Sequence, residues 1–167
     1  MANVGALIAN RGVCYQPHIV RALKDPDGSG HVRKIEPQVM AKYELDPLQW
    51  DTLTTSMLHV IQVGTARTAQ IGGLLWGGKT GSAENQKDHD THSWFVGVAP
   101  IVAPKVVICV MLENAGHGGD VAAPIAAKLV REFLNGSAAP KVEVQSTRIR
   151  ESAPSSWETE VESPNRE

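Results

Sequence analysis

The sequence predicts an α+β domain, on three observations. A helix with a complete start signal begins at Asp46-Pro47, three strand-like runs follow it between Leu74 and Leu112, and a second apolar-striped helix follows those runs. The short link Pro100 to Pro104 between the last two runs predicts an antiparallel hairpin, so the expected core is three antiparallel strands with flanking helices.

Each element has a local reason. From Met1 to Ala9, Val4, Leu7 and Ile8 fall at helical spacing, and Asn10-Arg11-Gly12 offers a C-terminal cap. Val13 to Leu23 reads as extended pieces broken by Pro17, and Lys24 to Gly30 as a turn-rich loop. Asp46 is an N-cap, Pro47 suits the first helical position, and Gln49 stands where a capping box needs it. Trp50, Leu53, Met57, Leu58 and Ile61 then fall on one face, predicting core packing, and Gly64 ends the helix. The strands are expected at Leu74 to Ala83, Trp94 to Ala99 and Lys105 to Leu112. Asp120 is expected to cap the last helix, with Val121, Ile125, Leu129 and Phe133 as its inward stripe, Pro124 in its first turn and Asn135-Gly136 closing it.

With 167 residues and 42% hydrophobic content, the chain is large enough for one domain with a sizeable core. That domain is expected over residues 1–136. From Ser137 the chain is rich in Ser, Pro, Glu and Arg, so a disordered polar tail is expected over 137–167. A net charge of -2 and the lack of a Lys/Arg run argue against a nucleic-acid or anionic-membrane partner. No stretch approaches the roughly 18 consecutive apolar residues of a spanning helix, and the first residues do not read as a secretory leader, so no anchor or signal is expected within the chain. Cys14 and Cys109 are too few for a disulfide framework, and Cys109, among Val106, Val107, Ile108 and Val110, reads as a small buried side chain.

Gly73 to Glu84, Gly-Leu-Leu-Trp-Gly-Gly-Lys-Thr-Gly-Ser-Ala-Glu, admits two readings. Gly73 to Thr80 fits G-x-x-x-x-G-K-[ST], a phosphate-binding loop, which must leave a buried strand and open into a helix whose N-terminal amides hold the phosphates. Neither context is present. Gly64 to Gln70 is too polar for a central strand, and Asn85 to Ser93 has no helical apolar period, so nucleotide binding is a remote reading. The second reading takes Lys79-Thr80-Gly81 as a site element of serine acyl-transfer enzymes.

Several segments support the second reading in collinear order. Lys79-Thr80-Gly81-Ser82-Ala83-Glu84, Ser93-Trp94-Phe95-Val96-Gly97-Val98-Ala99-Pro100, Glu113 to Gly119 with Ala122 to Ala126, and Asn10 to His18 together resemble the C-terminal part of the transpeptidase domain of class B penicillin-binding proteins, closest to the elongation type, penicillin-binding protein 2. The resemblance spans about Met1 to Asn135 and implies part of a penicillin-binding, serine β-lactamase-like fold. It implies an enzyme that crosslinks peptidoglycan stem peptides and binds β-lactams, anchored in the inner membrane with its catalytic domain outside. It implies no cofactor and no metal.

Carried over from the motif, Lys79 would be a catalytic residue, presenting positive charge to the carboxylate of a stem peptide or β-lactam and biasing proton transfer. Thr80 and Ser82 would donate hydroxyl hydrogen bonds to that carboxylate, the Ser82 backbone N–H would serve an oxyanion hole, and Gly81 would leave room for substrate along the strand edge. His117, in Gly116-His117-Gly118-Gly119, is a candidate cleft residue, although the glycines alone would allow a tight strand-to-helix connection. Gly64-Thr65-Ala66 resembles a turn near the family's site and also reads as a plain helix stop.

The family's nucleophile lies in Ser-x-x-Lys, and no serine here has a lysine three residues later; the only Ser-x-Asn is Ser163-Pro164-Asn165, in the polar tail. Acyl transfer needs nucleophile, base and oxyanion donors together, so the chain is expected to carry one wall of the site and to be inactive alone. Its expected partner is the N-terminal part of the same domain, whose absence would leave the strand at Val106 to Leu112 with an unpaired edge. Two functions stay open: part of a transpeptidase, or a non-catalytic, vestigial binding module. Asp88, His89, Asp90 and His92 are suitable metal-ligand types, but they read as an exposed polar loop beside the cleft.

Overall fold

The computed structural model describes residues 1–25, 30–84 and 90–136. The tail expected over 137–167 lies outside the described residues. Helix α1 (Ala2–Ala9) is followed by β1 (Val13–Tyr15), β2 (Ala22–Lys24), β3 (Val32–Lys34) and β4 (Val39–Lys42), then α2 (Pro47–Gln62) and a single 3-10 turn, Arg67–Ala69. The central strands β5 (Gly77–Ala83), β6 (His92–Ala99) and β7 (Val106–Leu112) and helix α3 (Ala122–Leu134) complete the order.

The α+β class and the three-stranded antiparallel sheet agree with expectation: the order is β5-β6-β7, in register from Gly77 opposite Val98 to Ala83 opposite His92, and from Ser93 opposite Leu112 to Ala99 opposite Val106. The Ala99–Pro100 bond in the β6–β7 link is cis, and the Lys105 amide donates to the Ala99 carbonyl at 3.0 Å to close the hairpin. Helix α3 packs on the face carrying Phe95, Ile108 and Val110. Helix α1 lies on the opposite face, where Gly5 lets its backbone come down on Val96 and Val107; a Cβ there would be 2.6 Å from Val107 Cγ1.

Helix α2 starts as its sequence dictates. The Asp46 carboxylate accepts the Gln49 amide at 2.8 Å while the Asp46 amide donates to Gln49 Oε1 at 3.1 Å, with Pro47 at the first position. Trp50, Met57 and Ile61 are buried from the expected face, while Leu53 and Leu58 are half-buried. Helix α1 ends at Asn10, with the Gly12 amide donating to Leu7 O at 2.9 Å and the Arg11 amide to Ile8 O at 3.1 Å.

Five readings of the sequence need correction. Asp120 does not cap α3: the helix starts at Ala122, and its first amides are satisfied by the Ser93 hydroxyl and the Gly118 carbonyl. The stripe Val121–Ile125–Leu129–Phe133 does not face the core. Leu129 and Phe133 are 51% and 60% exposed, and Ala122, Ala123, Ala126, Ala127 and Val130 are buried instead. Phe95 and the branched side chains of β7 already fill much of the space under the helix, which favours the small side chains that dominate this face. The strand expected from Leu74 begins at Gly77, because Ile71 to Leu74 forms a tight turn. Strands β3 and β4 were not expected; they form separate two-stranded ribbons, β2 with β3 and β1 with β4, and since β3 is exposed throughout and β4 everywhere but Ala41, no alternation marks a buried face. Cys109 is half-buried rather than enclosed.

Candidate active site

Strand β5 carries Lys79, Thr80, Gly81 and Ser82 opposite Val96, Phe95, Trp94 and Ser93 of β6. Side chains alternate along a strand, so Lys79 is directed to the α1–α2 side and Thr80 and Ser82 to the other. Lys79 and Thr80 sit in mid-strand with no helix opening after them, which removes the phosphate-loop reading. The Lys79 ammonium donates to its neighbour's carbonyl, Thr80 O, at 2.6 Å.

The chain returns to this strand through two loops. Gly64-Thr65-Ala66 ends α2 and also reaches the site: Thr65 Oγ1 is 2.8 Å from Thr80 Oγ1. The second loop, between β7 and α3, brings His117 over Ser82, with Ser82 Oγ 3.4 Å from His117 Nδ1 and the Gly118 amide donating to the same hydroxyl at 3.4 Å. The glycines after His117 do more than allow a turn. A Cβ on Gly118 would lie 2.5 Å from Gly81 O, and one on Gly119 would lie 2.1 Å from Thr65 O, so the loop presses backbone against backbone on both sides of the site.

The His117 carbonyl is a fixed point of this loop, accepting from the Ser93 hydroxyl at 3.2 Å, the Asp120 amide at 3.1 Å and the Val121 amide at 3.2 Å. Ser93 is fully buried, and its oxygen also accepts the Ala122 amide at 3.2 Å. Thr68 Oγ1 anchors the far side, donating to Gly119 O at 2.6 Å. Ser93, Thr65 and Thr68 were not singled out from sequence as site residues. A polar residue heading an apolar strand was the one signal for Ser93.

Thr65, Lys79, Thr80, Ser82, His117 and Asp120 border an open polar cavity of ≈ 530 Å³. The structure thus brings together all five residues expected at the site. Through the sheet lies an apolar groove of ≈ 650 Å³ between α1 and α2, floored by Trp94 and Val96, and Lys79 borders it as well. Of the metal-ligand types, Asp88 and His89 lie outside the described residues, and the His92 Nδ1 accepts the Asn114 amide at 3.1 Å. Among the described residues no three His, Cys, Asp or Glu side chains converge on a metal-sized site.

Residues 1–131 match the family model described as penicillin binding protein transpeptidase domain. The chain is 33% identical over 155 residues to the peptidoglycan D,D-transpeptidase PbpA of Mycobacterium tuberculosis, covering 81% of this chain and 28% of that protein. It is 30% identical over 188 residues to the peptidoglycan D,D-transpeptidase MrdA of Haemophilus influenzae, covering 96% of this chain and 27% of that protein. The crystallised imipenem acyl-enzyme complex of penicillin-binding protein A from M. tuberculosis superposes with a TM-score of 0.69 at 30% identity, covering 80% of this chain and 29% of that one. The chain therefore spans under a third of the length of these three relatives.

Proposed function

Since the chain belongs to the transpeptidase domain family of class B penicillin-binding proteins, with similarity consistent with the elongation type, we propose that it forms the Lys-Thr-Gly wall of a peptidoglycan D,D-transpeptidase site. The observation that carries this reading is the meeting of Thr80, Ser82 and His117 on one open cavity along β5, which Lys79 also borders. Lys79 supplies the charge, and Thr80 and Ser82 supply hydroxyl donors, for the terminal carboxylate of a stem peptide or the carboxylate of a β-lactam. The Ser82 backbone N–H is the oxyanion donor, and Gly81 keeps the strand edge free for substrate.

The attacking serine, its base and the Ser-x-Asn element come from the N-terminal part of the same domain, which makes that part the principal partner of this chain. Residues 1–136 are the domain portion and 137–167 a polar tail. The intact protein is held at the inner membrane with this domain on its outer side; among the described residues no helix is long and apolar enough to cross a membrane.

Labelling with fluorescent penicillin tests the assignment. The 167-residue chain is expected to show no covalent label, because without a nucleophile serine chemistry of this kind falls by about a million-fold. A polypeptide in which the Ser-x-x-Lys and Ser-x-Asn segments precede this chain is expected to label, and Lys79→Ala in it to lower the rate by roughly a hundredfold or more. Unchanged labelling in that variant would remove Lys79 from the site. Failure of the longer polypeptide to label would favour a non-catalytic module.

A further inference from the structure

We propose that His117 is a positioning residue that sets the direction of the Ser82 hydroxyl, and so decides whether that hydroxyl can donate to a ligand carboxylate. This rests on the reading of the cavity as a carboxylate site. A serine hydroxyl has one proton to donate and two lone pairs to accept with. At Ser82 the Gly118 amide occupies one lone pair, at 3.4 Å, and His117 Nδ1 faces the oxygen, also at 3.4 Å.

The state of the imidazole settles the remaining valence. If Nδ1 is bare, it takes the only O–H proton, and Ser82 then shows the cavity a lone pair that repels a carboxylate. If Nδ1 carries a hydrogen, it donates to Oγ, and the O–H turns outward as a donor. A carboxylate in the cavity therefore selects the Nδ1–H form, and by linkage that form binds the carboxylate better.

Two observations make the arrangement a built one. The His117 backbone is held by three donors to its carbonyl, one of them the fully buried Ser93 hydroxyl, so the residue is anchored beside Ser82. The exposed ring lies on the rim of the cavity. The ionisable groups that border the same cavity are Lys79 on β5 and Asp120 in its own loop.

The test uses the 167-residue chain labelled with 15N-histidine, titrated with N-acetyl-D-alanyl-D-alanine and, in parallel, with its C-terminal amide. His117→Ala identifies the His117 ring signals by their loss. The expected result is that the carboxylate probe shifts the amides of Lys79 to Ser82 and moves the His117 ring to the Nδ1–H form, while the amide probe leaves the ring unchanged. His117→Asn, whose side-chain N–H replaces the donor at Nδ1, is expected to retain the affinity for the carboxylate. His117→Ala is expected to lose roughly tenfold, the scale of one hydrogen bond to a charged group. In Ser82→Ala, the His117→Ala change is expected to have no further effect. Shifts at Lys79 to Ser82 with an unmoved His117 ring would overturn the role of His117 alone. Absence of any shift at Lys79 to Ser82 would overturn the carboxylate reading and this inference with it.

Discussion

The buried hydroxyl of Ser93 holds the carbonyl of His117 at 3.2 Å, tying the loop that closes the cavity to the centre of the sheet. The same oxygen accepts the first amide of α3, so one side chain serves both a helix start and a site loop.

Replacing it should be costly. Ser93→Ala leaves the Ala122 amide without its acceptor in a buried setting and removes one of three donors to the His117 carbonyl, for which about 1–3 kcal/mol is expected. Urea unfolding should show a lower midpoint with an unchanged slope, and the Ser82–His117 contact should loosen. A midpoint equal to the unsubstituted protein's would show that another group takes over both bonds.

Gly78 faces Gly97 across β5 and β6, and the space the two leave holds the edge-to-face pair of Trp76 and Phe95, whose ring centroids are 5.6 Å apart. A Cβ on Gly78 would lie 2.3 Å from Phe95 Cζ, whereas one on Gly72 would meet nothing within 4 Å. Gly78→Ala is expected to destabilise by roughly 1–3 kcal/mol or more as the ring is displaced, and Gly72→Ala to be close to neutral. Thermal melts of the two variants side by side make the comparison.

Asp46→Ala removes the side chain that accepts the Gln49 amide in the capping box of α2. The expected loss is about 1 kcal/mol, and Asp46→Asn or Asp46→Ser should recover most of it. Equal stabilities for the Ala and Ser variants would mean that tertiary packing alone sets the start of this helix.

Among the described residues β7 pairs only with β6, so its outer edge offers unpaired backbone groups, and Met111 stands 44% exposed near its end. Edges of this kind template association. The chain is expected to elute as oligomers in size-exclusion chromatography, and Met111→Lys to shift the distribution toward monomer. A sharp monomer peak with a cooperative melt for the unsubstituted chain would count against an adhesive edge.

What could be read in the sequence was what neighbours along the chain decide. Asp46, Pro47 and Gln49 specify a helix start within four residues, and the short link from Pro100 to Pro104 favours a hairpin. The inward face of α3 was misread because it depends on volumes supplied from elsewhere: against Phe95 and the β7 side chains the helix buries four alanines and Val130. Strands β3 and β4 escaped because exposed ribbons carry no period. At the site, Lys79 to Ser82 were legible through family resemblance alone. The meeting of Ser82 with His117, 35 residues apart, and the bond from Thr65 to Thr80 are products of the fold.

Lys79 stands between two environments, with the polar cavity on one side of the sheet and the apolar groove on the other. Coulomb attraction strengthens as the effective dielectric around a charge falls. Whatever fills the groove removes water from one side of this ammonium group and so extends its pull on an anion on the other side. The grip on a carboxylate would then be set partly by a body that never touches it: the packing of the groove acts as a gain control on the charge at the strand.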